Sequence, residues 1–283
     1  LSDVLAATDL AAAKDAARTA TGHLRRVGNR RALSVAIMNL VETLMQLGDW
    51  DAAEAELIQA LDSDALADAE LLTWARGWLA ALRGDAVSAG AMLAGLQDLD
   101  VSEDPQDQAM VSIAEAWTAA ARGKPEDALR QAREALAHAD ALGISFDTMR
   151  WAWPLAARSA HELRDTAAIA DLLALLDAYK PGHLAPMLRA ERNLARARQA
   201  EGDGDQPAAA AFAAAVASLR ENSTPYHLAH GLLDHAEYLT RHGHPHAATL
   251  AVDEARAIAS HLRCQPLLDR ADALERAQSR IQA

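Results

Sequence analysis

The histidines are the residues of this chain whose type and spacing best suit chemistry. His227, His230 and Asp234 lie at i, i+3 and i+7, so on a helix they share one face. The segment RHGHPH at residues 241–246 alternates three further histidines. Two imidazoles and a carboxylate can bind zinc, but zinc sites have tighter ligand spacing than these patterns offer. We expect exposed turn and helix-cap residues at 241–246 and no metal site; functional zinc binding and adventitious metal capture stay open as alternatives.

Other catalytic patterns are weak. Cys264 is the chain's one cysteine and His261 precedes it by three residues, but a lone cysteine near a helix end is usually inert packing. The sequence has no GxxxxGK[ST] phosphate loop and no glycine-rich dinucleotide turn after a strand. The carboxylates are spread along helix faces. We therefore expect a protein that is not an enzyme and needs no cofactor.

The composition indicates which elements position these residues. Hydrophobic residues make up 51% of the 283 positions, yet alanine dominates them and aromatics reach only 4%. Alanine is the best helix former, and Val, Ile and Thr form no alternating runs. The sequence therefore predicts an all-α fold.

Charge and targeting features bound the partners and the location. The formal net charge is −13, from 27 Lys and Arg against 40 Asp and Glu, which disfavours direct nucleic-acid contact. One cysteine excludes an intrachain disulfide and fits a reducing cytoplasm. No apolar run approaches about 18 residues and no signal peptide is recognisable, so we expect a cytoplasmic location without membrane contact. The chain begins with Leu1 rather than Met, which suggests a segment of a longer protein.

A repeated pattern runs through the chain. In residues 36–61, AIMNLVETLMQLGDWDAAEAELIQAL, a helical pattern ends at Leu47, Gly48-Asp49 breaks it, and a second helical pattern follows. Gly48 suits the left-handed residue past a helix end, and Asp49 suits the N-cap of the next helix. Equivalent breaks fall at 84, 123, 164, 202 and 243, giving successive spacings of 36, 39, 41, 38 and 41 residues. Such a period is typical of helical repeat arrays.

The first complete repeat resembles the tetratricopeptide repeat (TPR). The positions that match that motif are Asn39, Leu40, Leu44, Gly48, Asp49, Trp50, Ala53, Leu57, Ala60 and Leu61. The units exceed the usual 34 residues and mostly lack the consensus proline, so the repeats are degenerate. The resemblance implies a single right-handed TPR-like helical-hairpin solenoid over residues 1–283, with about six helix pairs, a truncated N-terminal unit and a C-terminal capping helix. The units are expected at about 1–25, 33–63, 69–99, 107–141, 148–178, 185–221 and 226–262, with the cap at 266–281. A non-repetitive helical bundle is the alternative.

A narrower resemblance concerns residues 221–239, ENSTPYHLAHGLLDHAEYL. This stretch is similar to a recurring G-T-P-Y-x-L-A-x-x-L-L-x-x-A-E-x-L pattern in large actinobacterial-type multidomain ATPase regulators of the LuxR-type or nucleotidyl-cyclase-linked kind. Asn222-Ser223 replaces the usual small-Gly pair. The resemblance implies a C-terminal array that is switched by ligands and communicates with an ATPase module elsewhere in the same protein.

The first helix of each unit supplies the candidate binding surface. In TPR arrays these helices line a concave groove, and Trp and Arg dominate binding hot spots. Aligning each unit to its turn predicts inward positions at Met38, Glu42, Trp74, Trp78, Trp117, Trp151, Arg158, Arg189, Arg192, Arg196 and His230. Such a groove suits a peptide or small ligand with apolar bulk and an anionic end. Two alternatives remain: the tryptophans fill gaps between alanine-rich helices, and the arginines form a solvated or ion-paired face.

These observations predict a non-catalytic scaffold or sensor domain of a multidomain transcriptional or signalling regulator. Its expected partner is a protein or peptide, the parent protein's own ATPase module, or a small-molecule effector. A stand-alone TPR adaptor with a peptide in its concave groove is one alternative. A small-molecule-binding sensor array is the second. An enzyme ranks last, because no catalytic set converges.

Overall fold

The computed structural model of the chain describes residues 9–62, 69–94, 102–202 and 208–282. Within these ranges the regular structure is helical and includes no strand, which confirms the predicted all-α class. One 3₁₀ turn spans Pro181–His183. The α-helices are α1 Leu10–Val27, α2 Arg30–Leu47, α3 Trp50–Leu61, α4 Ala69–Arg83, α5 Ala86–Leu93, α6 Pro105–Ala121, α7 Pro125–Leu136, α8 Ala139–Leu142, α9 Asp147–Glu162, α10 Thr166–Asp177, α11 Pro186–Gly202, α12 Ala208–Asn222, α13 Pro225–Arg241, α14 Pro245–Leu262 and α15 Gln265–Gln282.

Parts of the predicted units lie outside the described residues, namely residues 1–8, 63, 95–99 and 203–207. The predicted cap at 266–281 falls on α15. None of the helices in the described ranges combines the length and the apolar character needed to cross a membrane.

Tight turns separate the helices at most of the predicted breaks. Residues 48, 84, 123, 164 and 243 have φ between 56° and 92° and each stands between two helices. Arg164 adopts this left-handed conformation without being glycine. The sixth position, Gly202, is the last residue of α11, and Asp203 lies outside the described residues. Asp49 occupies the N-cap of α3, but its carboxylate accepts a hydrogen bond from Lys14 Nζ at 3.3 Å instead of capping the helix.

Neighbouring helices pack in a regular succession. Apart from the four-residue α8, each described helix contacts the next described one along the chain, and α2, α4, α6, α9 and α11 also contact one another in that order. Alanines lie where α6 meets α7, and Ala116, Ala128 and Ala132 are fully buried there. Small side chains let helix axes approach closely, so the alanine-rich composition supports this packing.

Helices from the first and last thirds of the chain contact each other. Arg83 Nε donates to the carbonyl of Leu262 at 3.2 Å, and Cys264 Sγ donates to the carbonyl of Leu82 at 3.1 Å. Helix α15 contacts α4, and Pro225 packs on Gly48. Residues near the ends of α2 and α4 therefore contact residues at the ends of α13, α14 and α15, although they are far apart in the sequence.

Candidate functional site

An aromatic cluster fills the face that the sequence predicts to be concave. It consists of Trp74, Trp78, Trp117, Trp151 and Tyr226, which come from α4, α6, α9 and α13. Trp78 and Trp117 stack with ring centroids 4.8 Å apart, and Trp78 meets Trp151 edge-on at 4.9 Å. The ring centroids of Trp151 and Tyr226 lie 6.2 Å apart. The four tryptophans are 2–5% exposed, so these predicted groove residues form an interior wall instead of an open surface.

Helical spacing explains which tryptophans join the cluster. Trp74 and Trp78 lie one turn apart on α4 and share a face. Trp74 Nε1 donates to the carbonyl of Met110 at 2.9 Å, which joins α4 to α6. Trp153 follows Trp151 by two residues and points elsewhere, donating to the carbonyl of Leu172 on α10 at 2.8 Å.

A cavity of about 690 Å³ lies at one end of the cluster. Trp151 forms one wall, and Leu184, Met187 and Leu10 add apolar surface. Arg150 and Arg189 supply positive charge, and among the described lining residues Glu221 is the one acidic side chain. The remaining lining residues are Gln46, Ser145, Gly182, His183, Ala185, Pro186, Asn222, Ser223 and Thr224. The volume lies in the range of small-molecule sites.

Three helix N-termini meet at this cavity. Helices α9, α11 and α13 begin at Asp147, Pro186 and Pro225, and residues at or just before each start line the cavity. The first N–H groups of a helix lack intrahelical partners and its dipole is positive at that end. Ser223 Oγ is also buried and has no hydrogen-bond partner in the described chain. The arrangement therefore favours an anionic ligand group.

Arg150 is held in place by acidic neighbours. It forms an ion pair with Asp147 one turn earlier, and Glu42 on α2 lies close enough to favour its charged form. Burial lowers the pKa of Arg150 from its ordinary value and outweighs the opposing effect of Glu42. Its Nε is buried without a hydrogen-bond partner in the described residues. Glu42 is half-buried.

The three arginines of the predicted stripe on α11 lie in two different environments. Arg189 lines the cavity and donates to the carbonyl of Leu184 at 2.6 Å. Arg192 and Arg196 instead pair with Asp177 of α10, at 3.1 and 2.8 Å. The structure therefore brings one arginine of the stripe to the cavity and leaves two in an ion pair on the neighbouring helix. Met38 is a buried core residue of α2.

Beneath the aromatic cluster, His227 forms a buried polar contact. Its Nδ1 lies 2.7 Å from Glu191 Oε1, and Arg158 Nη1 lies 3.6 Å from the same carboxylate oxygen. Burial lowers the pKa of His227 although Glu191 opposes this. Burial raises the pKa of Glu191, but His227, Arg158 and Arg198 outweigh it and lower that pKa overall. Arg158 Nη1 also lies 3.2 Å from His227 Nδ1, so His227, Glu191 and Arg158 form one buried polar cluster.

Asp234, the third residue of the alternative zinc pattern, pairs with arginines. Its carboxylate pairs with Arg198 and with Arg270, the latter at 2.5 Å, and its side chain is 3% exposed. Burial raises the pKa of Asp234, but the two arginines reverse this and lower it. His230 stacks edge-on against Tyr226 at 4.7 Å. Two of the three groups of the hypothetical zinc site are thus committed to protein contacts.

The RHGHPH segment forms the turn between α13 and α14. His242, His244 and His246 are exposed there, and His242 Nδ1 lies 2.8 Å from the carbonyl of Tyr238. Among the described residues, no group of three or more His, Cys, Asp or Glu side chains is placed to hold a metal ion. Cys264 is buried, and burial raises its pKa to about 12. A thiol with that pKa is a poor nucleophile.

Several residues of the site escaped the sequence analysis. Arg150 was not predicted because the repeat alignment placed its neighbour Trp151 on the inner face. Tyr226 appeared only within the segment 221–239, as part of a family resemblance. Glu191 stood among the α11 arginines as one acidic residue in a basic run. A buried carboxylate needs partners, and those partners come from distant helices.

No protein family model matches the chain, and no curated protein is significantly similar to it. The class that the fold and the site define is an all-helical protein with a closed aromatic core and an arginine-lined cavity.

Proposed function

We propose that the chain is a non-catalytic sensor domain that binds a small effector with an anionic end. The observation that carries the proposal is the cavity at the aromatic cluster, where three helix N-termini, Arg150 and Arg189 face an apolar wall. An anionic group is stabilised at such N-termini, and Trp151 offers a flat surface for an apolar body.

The proposed architecture is a right-handed TPR-like solenoid. It is supported by the six successive helix pairs α2–α3, α4–α5, α6–α7, α9–α10, α11–α12 and α13–α14. Helix α1 precedes these pairs as a single helix, and α15 follows them. The resemblance at 221–239 supports a place in a cytoplasmic multidomain regulator, with that protein's ATPase module as the partner that receives the ligand signal.

The filled inner face argues for a small effector over a peptide. An extended peptide in the concave groove would have to displace the tryptophan cluster, which is 2–5% exposed. Removing a large aromatic side chain from a core costs roughly 3–5 kcal/mol. The cavity beside the cluster needs no such displacement, so a compact ligand fits the geometry better.

Matched arginine variants test the proposal. Phenyl phosphate and phenylacetate serve as probes, measured by titration calorimetry and by tryptophan fluorescence. Arg189→Gln removes a charge that lines the cavity, and we expect probe binding to weaken about tenfold or more. Arg192→Gln is the control, because this residue lies on the same helix but pairs with Asp177. Absence of binding by both probes, or equal losses in the two variants, would overturn the proposal.

A further inference from the structure

A second cavity of about 180 Å³ lies at the opposite side of the aromatic cluster. Trp117 and Tyr226 belong to its lining, whereas Trp151 lines the first cavity, so members of the cluster lie between the two. The described linings share no residue. Leu82 and Leu155 add apolar surface. A cavity of about 150 Å³ accommodates benzene, so this one has the size for a single ring.

Its polar end differs from that of the first cavity. The lining includes the last turns of α4, α6 and α9, through residues such as Leu82, Ala121 and Glu162. Helix C-termini present carbonyl oxygens and a negative dipole end. Pro125 and Pro266 place the starts of α7 and α15 in the same lining, so the helix ends together give this cavity no single sign of charge.

His230 is the polar group best placed to recognise a ligand. It lines the cavity, and both of its ring nitrogens are shielded from solvent and have no hydrogen-bond partner in the described chain. Burial, with Arg158 and Arg270 nearby, lowers the pKa of His230 well below its ordinary value. The imidazole is therefore neutral near pH 7, with one nitrogen that donates and one that accepts.

Among the described residues that line the cavity, the buried charge of Arg158 is paired. The Arg158 guanidinium lies 3.6 Å from the Glu191 carboxylate and over the ring of Tyr226, 5.4 Å from its centroid. Lys124 and Glu162 also line the cavity, but both are exposed. A charged ligand would have to give up hydration without gaining a free countercharge inside.

We propose that this cavity is a second binding site, which takes a small neutral ring compound carrying one hydroxyl or N–H group. The ring packs against Trp117 and Tyr226, and the hydroxyl or N–H exchanges a hydrogen bond with His230. The site is independent of the anionic effector cavity in its location and in its ligand chemistry.

Phenol and toluene are the probes that test the site. They have similar size, but only phenol can hydrogen-bond to His230. We expect both to bind the intact chain by calorimetry, phenol more tightly. His230→Leu should weaken phenol binding about fivefold to tenfold and leave toluene unchanged, since one hydrogen bond is lost. His246→Leu, on the exposed turn, is the matched control.

A cavity-filling variant keeps the test decisive if His230→Leu does not fold. Ala121 lies at the half-buried end of α6 in the lining, so Ala121→Leu adds bulk where the fold tolerates it. It should weaken phenol and toluene alike, while phenyl phosphate binding at the first cavity stays as in the unmodified chain. Failure of both small probes to bind, unchanged phenol affinity in the variants, or competition between phenol and phenyl phosphate would overturn the second site.

Discussion

Gly84 packs against Pro266, although 182 positions separate them in the chain. A Cβ on Gly84 would lie 2.8 Å from Pro266 Cδ, and the glycine has φ of +92°. The turn between α4 and α5 is thereby held against the first residues of α15. This contact, with Arg83 and Cys264 beside it, joins α4 to the region where α14 ends and α15 begins.

Gly84→Ala should destabilise the protein more than the same change at a free turn. At Gly123, φ is +66° and no described atom lies within 4 Å of a built Cβ, so Gly123→Ala tests backbone strain alone, about 1–2 kcal/mol. Gly84→Ala adds a clash with proline, and we expect a further loss of about 1–2 kcal/mol. Urea unfolding of both variants measures the difference. Equal losses would show that Gly84 and Pro266 do not press on each other.

The turn positions and the contact of α4 with α15 differ in how far the sequence could predict them. A left-handed residue between two helical patterns has a local cause, so Gly48, Gly84 and Gly243 could be found from the sequence. The contact of α4 with α15 depends on how every intervening helix packs on its neighbours, and no short stretch of sequence contains that information. The inner face was predicted to be a candidate groove, with tryptophans that fill gaps between helices as the alternative, and the burial of the tryptophans matches that alternative.

The same limit applied to the charges. The periodicity placed Arg189, Arg192 and Arg196 on one helix face. Asp177 of the preceding helix forms ion pairs with Arg192 and Arg196. The position of Asp177 follows from how α10 crosses α11. Sequence periodicity describes one helix at a time, so it cannot show which partner a side chain meets.

Asp234→Asn should be strongly destabilising. The carboxylate lies between Arg198 and Arg270 with its side chain 3% exposed, and its loss leaves the buried Arg198 with a weaker partner. Breaking such a buried contact costs about 3–5 kcal/mol. Asp177→Asn, at an ion pair 45% exposed on the aspartate side, should cost no more than about 1 kcal/mol. Denaturant unfolding of the two variants provides the comparison, and similar costs would contradict the assignment.

Stability should fall as pH is lowered from 7 towards 4. Burial lowers the pKa of His161 to about 4, and it lowers those of His227 and His230 as well. The unfolded chain has histidine pKa values of about 6.5, so below that pH it binds protons that the folded chain does not. Proton uptake by the unfolded state shifts the equilibrium towards unfolding. The free energy of unfolding therefore keeps falling until the histidines of the folded chain also bind protons.

The carboxylates act in a lower pH window. The pKa values of Glu191 and Asp234 are lowered in the folded chain, so their contribution is complete above about pH 4 and is lost below it. The decline between pH 6.5 and 4 therefore reports the histidines. Thermal unfolding midpoints across this range measure it, and His161→Gln should make the decline shallower. A midpoint that is constant from pH 7 to 5 would rule out buried neutral histidines.

The tryptophan cluster should also give a spectroscopic signature. Trp78 and Trp117 stack at 4.8 Å with their planes 14° apart, a geometry in which the two indoles couple. Trp78→Phe should therefore reduce the near-ultraviolet circular dichroism. Trp153→Phe should change it less, because Trp153 lies on the other side of α9 and donates to Leu172.

The same two variants should differ in stability. Both tryptophans are buried, so each substitution removes a similar volume from the core. Trp153→Phe also loses the hydrogen bond from Nε1 to the Leu172 carbonyl, worth about 1 kcal/mol. Trp78 Nε1 is buried with no partner in the described chain, and removing such a donor relieves a desolvation cost of about 1–3 kcal/mol. We therefore expect Trp78→Phe to reduce the free energy of unfolding less than Trp153→Phe. The opposite order would mean that the Trp78 indole N–H is hydrogen-bonded in solution.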